Sequence, residues 1–249
     1  MSAWLFDLGN TRLKCAPLAG DRAGAVTALA HDGLEGLDAD ALHARLDAAL
    51  PARIGTAHVA SVAREPLRVA LLDALTRRCA RIELARTLPG LDGLRIAYAE
   101  PSRLGVDRFL AMLGARRQVH GAVLVCGVGT AITLDLVDAD GRHRGGRIAP
   151  SPDLMREALH ARAPHLPLQA GSWVDWACDT GDALASGCLG AAAALVREAQ
   201  ATAAATLGSG VPLLMHGGGA RALLPALPQA RELPALVLDG LAIWAGAVR

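Results

Sequence analysis

Ala3-Trp4-Leu5-Phe6-Asp7-Leu8-Gly9-Asn10-Thr11-Arg12-Leu13-Lys14-Cys15 reads as an apolar strand, a small polar turn and a second strand. The same order returns in Ala122-Val123-Leu124-Val125-Cys126-Gly127-Val128-Gly129-Thr130-Ala131-Ile132-Thr133-Leu134. Each stretch goes on through a further polar turn, Ala19-Gly20-Asp21 in the first and Asp138-Ala139-Asp140-Gly141 in the second. Both therefore read as β-meanders, strands folded back through tight turns. A duplicated sheet-forming segment predicts an α/β chain of two similar domains, divided as 1–117 and 118–249.

Helical patterns lie between and after the meanders. Leu42, Leu46 and Leu50 recur at helical spacing over Asp40–Leu50 and stop at Pro51. A strand over His58–Val62 precedes a helix from Pro66 to Arg78, and another helix runs from Leu104 to Arg117. Ser151-Pro152 is a capping serine followed by proline at the first helical position, leading to Arg162. Further on come an alanine-rich helix over Asp182–Leu207, a buried strand over Val211–Met215 and a last helix after Pro234.

Composition narrows the function. Of 249 residues, 52% are hydrophobic but only 3% aromatic, so the core is built of Leu, Val and Ala, with no aromatic platform for stacking on bases. A net charge of +1 with interspersed signs gives neither a nucleic-acid footprint nor a polybasic membrane patch. The five cysteines are scattered without a CxxC pair, which argues against a zinc site or a disulfide framework and fits a cytoplasmic setting. The amino terminus reads as an immediate strand rather than a signal peptide, and no apolar run is long enough to span a bilayer. His160 and His165 lack a third ligand nearby, and Trp173 and Trp176 read as packing residues.

Three loops could carry chemistry. Gly127-Val128-Gly129 after a strand invites a dinucleotide-binding reading, but Ile132 stands where a small residue is needed and a strand follows where a helix is required. What remains is a hairpin whose amides and hydroxyls can face a phosphate; two such turns, with a third glycine loop at Gly217-Gly218-Gly219, point to a phosphorylated ligand. Asp7, at a strand end, has two readings: a partner for the turn amides of Gly9 and Asn10, or a holder of a magnesium-bound water. Asp107, at a helix start, likewise serves either the helix dipole or chemistry. Lys14 is the only lysine in the chain.

Asp7-Leu8-Gly9-Asn10-Thr11, Tyr98 with Pro101 and Leu104-Gly105-Val106-Asp107-Arg108, Gly129-Thr130-Ala131-Ile132-Thr133, and Gly141 through Gly145-Gly146, Ile148 and Pro150 together resemble the type III pantothenate kinase family. Weaker matches continue through Ser61-Val62, Cys178-Asp179-Thr180 and Leu236–Leu241. The Leu-Gly-x-Asp-Arg element is the most discriminating part, since glycine turns are shared by many actin-like kinases. The resemblance implies two ribonuclease H-like (actin-like ATPase) domains with mixed sheets and flanking helices. It implies ATP-dependent phosphorylation of pantothenate, the first step of coenzyme A synthesis, by a homodimer.

The roles follow by resemblance, residue by residue. Asp107 matches the general base; Tyr98, Gly105, Val106 and Arg108 match the pantothenate site; Thr180 matches a threonine reaching across to the partner's substrate. Asp7, Gly9, Asn10, Thr11 and Lys14 match the first phosphate loop, Gly129 and Thr130 the second, and Asp7 would hold Mg2+ through water. Three positions depart from the family pattern. Gly127 replaces an acid that helps bind a monovalent cation (K+ or NH4+), Ser151 replaces a glycine, and Gly219 replaces an aspartate of the nucleotide loop. Two other readings stay open: a regulatory or accessory homologue with weakened catalysis, and an actin-like kinase for another small alcohol.

Overall fold

A computed structural model describes residues 2–30, 39–208 and 210–247. In chain order the first part forms β1 (Ala3–Leu8), β2 (Arg12–Ala19), β3 (Arg22–Ala23), β4 (Thr27–Ala30), α1 (Ala39–Ala49), β5 (Ile54–Ser61), α2 (Glu65–Thr76), β6 (Cys79–Leu84), β7 (Gly90–Leu91), β8 (Leu94–Arg95) and α3 (Val106–Gln118). There follow β9 (Val123–Val128), β10 (Ala131–Val137), β11 (His143–Pro150), α4 (Pro152–Arg162), α5 (Thr180–Leu207), β12 (Leu213–His216), α6 (Ala220–Leu223), β13 (Ala230–Glu232) and α7 (Leu236–Ala247). Two compact units result, residues 1–118 with 235–249, and residues 119–234.

The units repeat one strand order. In the first, the strands lie β3-β2-β1-β5-β6, with β4 added alongside β2; in the second they lie β11-β10-β9-β12-β13. The meander supplies the antiparallel half of each sheet, and the strands after it pair in parallel with its first strand and then with each other. A parallel neighbour needs a crossover, and helices supply it, α1 before β5 and α5 before β12.

In the first unit, alternate residues of the meander, Phe6, Leu8, Leu13 and Cys15, join Ala57 and Val59 of β5 in a core that Leu46, Leu71 and Leu75 close. The opposite face of the sheet carries Leu5 and Asp7, as the two-residue period of a strand requires. In the second unit, Leu124, Cys126, Val128, Ile132 and Leu134 pack against Ala192, Val196, Ala199 and Ala203 of α5. Small residues let that helix lie close to the sheet, and the buried residues of this core are non-aromatic.

The C-terminal helix departs from the expected division at 117/118. α7 belongs to the first unit, not the second. It packs along α3, where Leu236, Leu241 and Trp244 are buried with Phe109, Leu110 and Leu113. Gly114 and Gly240 make this approach possible: a β-carbon on Gly114 would stand 2.3 Å from the Leu236 carbonyl oxygen. Trp176 is a second departure, since it is 93% exposed rather than packed.

Candidate active site

In the first unit the β1–β2 register sets Asp7 opposite Lys14, so the two side chains share one face of the sheet. The turn between them is closed by the backbone, with the Gly9 N–H donating to the Arg12 carbonyl at 3.0 Å, while Asn10 and Thr11 stand exposed at its tip. Asp7 itself is partly buried. Burial pushes its carboxyl up from the ordinary 3.8 to about 7; Lys14 pulls it back down and Asp107 pushes it further up. That mutual influence places Asp107, a hundred residues later in sequence, in the electrostatic field of Asp7.

Asp107 reaches this position from the first turn of α3. The segment ahead of the helix is anchored where Thr87 donates its hydroxyl to the Leu104 carbonyl at 2.7 Å. Gly105 then starts the helix, its carbonyl accepting from the Phe109 N–H at 3.1 Å. A β-carbon at Gly105 would stand 2.6 Å from Asp107 Oδ1, so glycine here leaves the carboxylate its room. The same Oδ1 accepts from the Arg108 N–H at 2.9 Å, which orients it at the helix start. Arg108 is buried; its guanidinium lies over the Tyr98 ring, 5.9 Å from the centroid, and Nη1 donates to the Tyr98 hydroxyl at 3.3 Å. Val106 is the first residue of α3 and partly buried.

In the second unit the Gly129 N–H donates to the Ala131 carbonyl at 2.9 Å, closing a turn whose Gly129 and Thr130 are exposed. The Ser151 N–H donates to the Thr130 carbonyl at 3.3 Å, and the Ser151 hydroxyl accepts from the Leu154 N–H at 3.1 Å, capping α4. The backbone at Ser151 thus meets the turn of Gly129 and Thr130, while its hydroxyl caps the helix that follows. The third glycine loop locks onto this turn: the Gly219 N–H donates to the Val128 carbonyl at 3.0 Å. Gly217 has φ +97°, and a β-carbon on it would stand 2.2 Å from the same oxygen, so only glycine fits. Thr180 is exposed at the start of α5, behind the capping Asp179, whose carboxylate accepts from the Asp182 N–H at 3.0 Å.

Within each unit, then, the expected residues converge: Asp7, Lys14 and Asp107 in one, with Tyr98 beside Arg108, and the 127–130 turn with the 217–219 loop in the other. His216 is the neighbour that the sequence reading passed over. It pairs with Gly127 across the parallel β9–β12 register and is visible only once that register is known. Among the described residues no cluster of three or more His, Cys, Asp or Glu could hold a metal ion by itself. A magnesium ion that keeps its own waters needs only one or two carboxylates, and Asp7 offers one.

Two mixed sheets of repeated strand order, each with a glycine turn in its meander, define an actin-like α/β fold. A structure from Campylobacter jejuni, described as a conserved putative Baf family transcriptional activator, is 18% identical, covers 99% of this chain and 100% of its own, and has a TM-score of 0.63. A putative 2-dehydro-3-deoxygalactonokinase from Sinorhizobium meliloti is 19% identical, covers 99% of both chains, and has a TM-score of 0.59. The sequence goes further. The family model of type III pantothenate kinase matches residues 4–202, and the chain belongs to that family. Type III pantothenate kinases of Xanthomonas campestris pv. campestris (strain B100) and Xanthomonas axonopodis pv. citri (strain 306) are each 57% identical, over 98% and 99% of this chain and 98% of their own lengths.

Proposed function

We propose that the chain transfers the γ-phosphoryl group of ATP to the primary hydroxyl of pantothenate, with Asp107 as the general base. The observation that carries the assignment of the base is that Asp107, in the first turn of α3, is close enough to raise the pKa of Asp7, which shares a sheet face with Lys14. As the hydroxyl oxygen bonds to the γ-phosphorus, Asp107 takes its proton; the bond to the β,γ-bridging oxygen breaks, leaving 4′-phosphopantothenate and ADP. Catalysis of this kind is mainly positioning and charge stabilisation. Asn10 and Thr11 with the Gly9 turn, and Gly129 and Thr130, present donors for the phosphates, and Lys14 adds positive charge. Arg108, held by Tyr98, with Gly105 and Val106, forms the pantothenate side. Magnesium carried on the phosphates would neutralise the transferring charge, and Asp7 would hold it through water.

The protein acts as a homodimer in this reading, with Thr180 reaching the partner's substrate. A furrow of about 820 Å³ between α4 and α5, lined by Leu154, Met155, Leu159, Leu184 and Cys188, supports it. So do the exposed Ile148, Leu168 and Trp176 of the same unit. The cysteines are free, which fits the reducing cytoplasm. No helix among the described residues is long and apolar enough to cross a membrane.

The test is pantothenate-dependent ADP formation with phosphopantothenate identified by mass, beside Asp107→Asn. Loss of general-base catalysis is expected to lower kcat by roughly 10²–10⁴-fold while ATP binding persists. Full activity in the variant would overturn the assignment of the base. ADP formation indifferent to pantothenate would overturn the substrate.

A further inference from the structure

Position 127 is where the family pattern places an acid that shares a monovalent cation with the nucleotide. The residues here do not fit such a site. A β-carbon at Gly127 would stand 2.7 Å from Thr133 Oγ1, 2.9 Å from His216 Nε2 and 3.0 Å from His216 Cε1. The room for a carboxylate side chain is thus already filled by a threonine hydroxyl and the tip of an imidazole ring. Gly219, the other position where an acid is missing, is closed in the same way: a β-carbon there would stand 2.8 Å from Val128 Cγ1. Two acids are absent from adjoining loops, and in both places a neighbouring side chain occupies the space.

We propose that the second phosphate turn of this chain works without a bound monovalent cation, with His216 occupying the place of the missing carboxylate. The electrostatics follow from charge alone. A carboxylate beside a triphosphate is a like-charge neighbour whose repulsion a shared cation relieves. Glycine removes that negative charge, and with it the need for the cation. An imidazole contributes ring nitrogens that, unlike a carboxylate, bring no negative charge toward the phosphates. The β9–β12 register, which pairs Gly127 with His216, makes the two positions one unit of design. This inference rests on the phosphate-binding role proposed above for the turn of Gly129 and Thr130.

The experiment compares ATP affinity by titration calorimetry in tetramethylammonium chloride and in potassium or ammonium chloride, at equal ionic strength and saturating magnesium. Turnover with pantothenate is measured in the same salts. The wild-type chain is expected to change by less than about twofold in either quantity, whereas an ordinary coupled site shifts affinity by roughly 5–150-fold. Potassium or ammonium stimulation in that larger range would overturn the proposal. A Gly127→Asp, His216→Ala double variant restores the acid and clears the ring. Its thermal midpoint and ATP affinity are expected to rise with potassium, while those of the wild type do not. A potassium response shared by both proteins would also overturn it. Absence of turnover in every salt would count against the kinase reading, and the calorimetric comparison would still decide the cation question.

Discussion

Gly240 of α7 lies so close to Leu110 of α3 that a β-carbon at 240 would stand 1.8 Å from the Leu110 carbonyl oxygen. Backbone here packs on backbone, and no rotamer change can make room. Gly240→Ala is expected to force the helices apart and cost about 1–3 kcal/mol or more, read as a lower urea midpoint at unchanged slope. Gly190→Ala on α5 is the control, because nothing lies within 4 Å of its would-be β-carbon. There the gain in helix propensity is expected to stabilise by about 0.5–1 kcal/mol.

Gly105→Ala acts on chemistry rather than on stability. Its methyl group meets Asp107 Oδ1, the movable end of a side chain, so the fold survives while the carboxylate shifts. A displacement near 1 Å costs about 10²-fold in rate, and kcat is expected to fall on that scale with the thermal midpoint nearly unchanged. An equal loss of stability would show that the contact is structural instead.

Asp7 predicts a pH dependence for the protein free of nucleotide and metal. Its carboxyl titrates at about 7 when folded against an ordinary 3.8, so the folded state holds the extra proton between these values. The stability this group contributes is present in full below about 3.8 and is lost as pH rises through about 7. Asp7→Asn should therefore have a higher thermal midpoint than the wild type at pH 8, the gap closing as the pH falls toward 4. A gap independent of pH would show that Asp7 is not protonated in the folded chain.

Ser151→Ala removes the cap of α4. A loss of about 1 kcal/mol is expected, whereas Ser151→Gly should cost only a few tenths. Because the Ser151 N–H also meets the Thr130 carbonyl, a loosened helix start should raise hydrogen exchange at the turn of residues 129–130 in the alanine variant, while the glycine variant stays near the wild-type level.

The thiols should separate by exposure. Burial pushes Cys15 up to about 11 and Cys126 up to about 12, with the carboxylate of Asp135 adding to the effect on Cys126. Cys178 is exposed. Iodoacetamide at pH 8 is expected to modify Cys178 promptly and to reach Cys15 and Cys126 only on unfolding.

The two meanders were legible because alternation along a strand and glycine in a tight turn are local properties, and they carried the fold class. The cap at Ser151 was legible for the same reason: a serine before proline reports on the next turn alone. What could not be read was anything set by register or by tertiary approach. His216 gained its meaning only when β12 was seen to pair with β9. The place of α7 depended on Gly114 and Gly240, glycines that inside a helical pattern look like weak points rather than contact surfaces. Trp176 looked like a core residue because large apolar side chains usually are; its exposure followed from the irregular chain between α4 and α5.

The placement of α7 has a consequence for how the protein is made. The Ala23 N–H donates to Asp239 Oδ1 at 3.0 Å across 216 residues of chain. The strands of the first unit leave the ribosome before the second unit, and the helix that covers α3 follows only after it. Until it arrives, the apolar side of α3 stays uncovered and the helix start bearing Asp107 lacks its support. Closing so long a loop makes this docking a late event. The order of synthesis thus acts as a clock: the whole second unit is made before α7 can give the helix start bearing Asp107 its support.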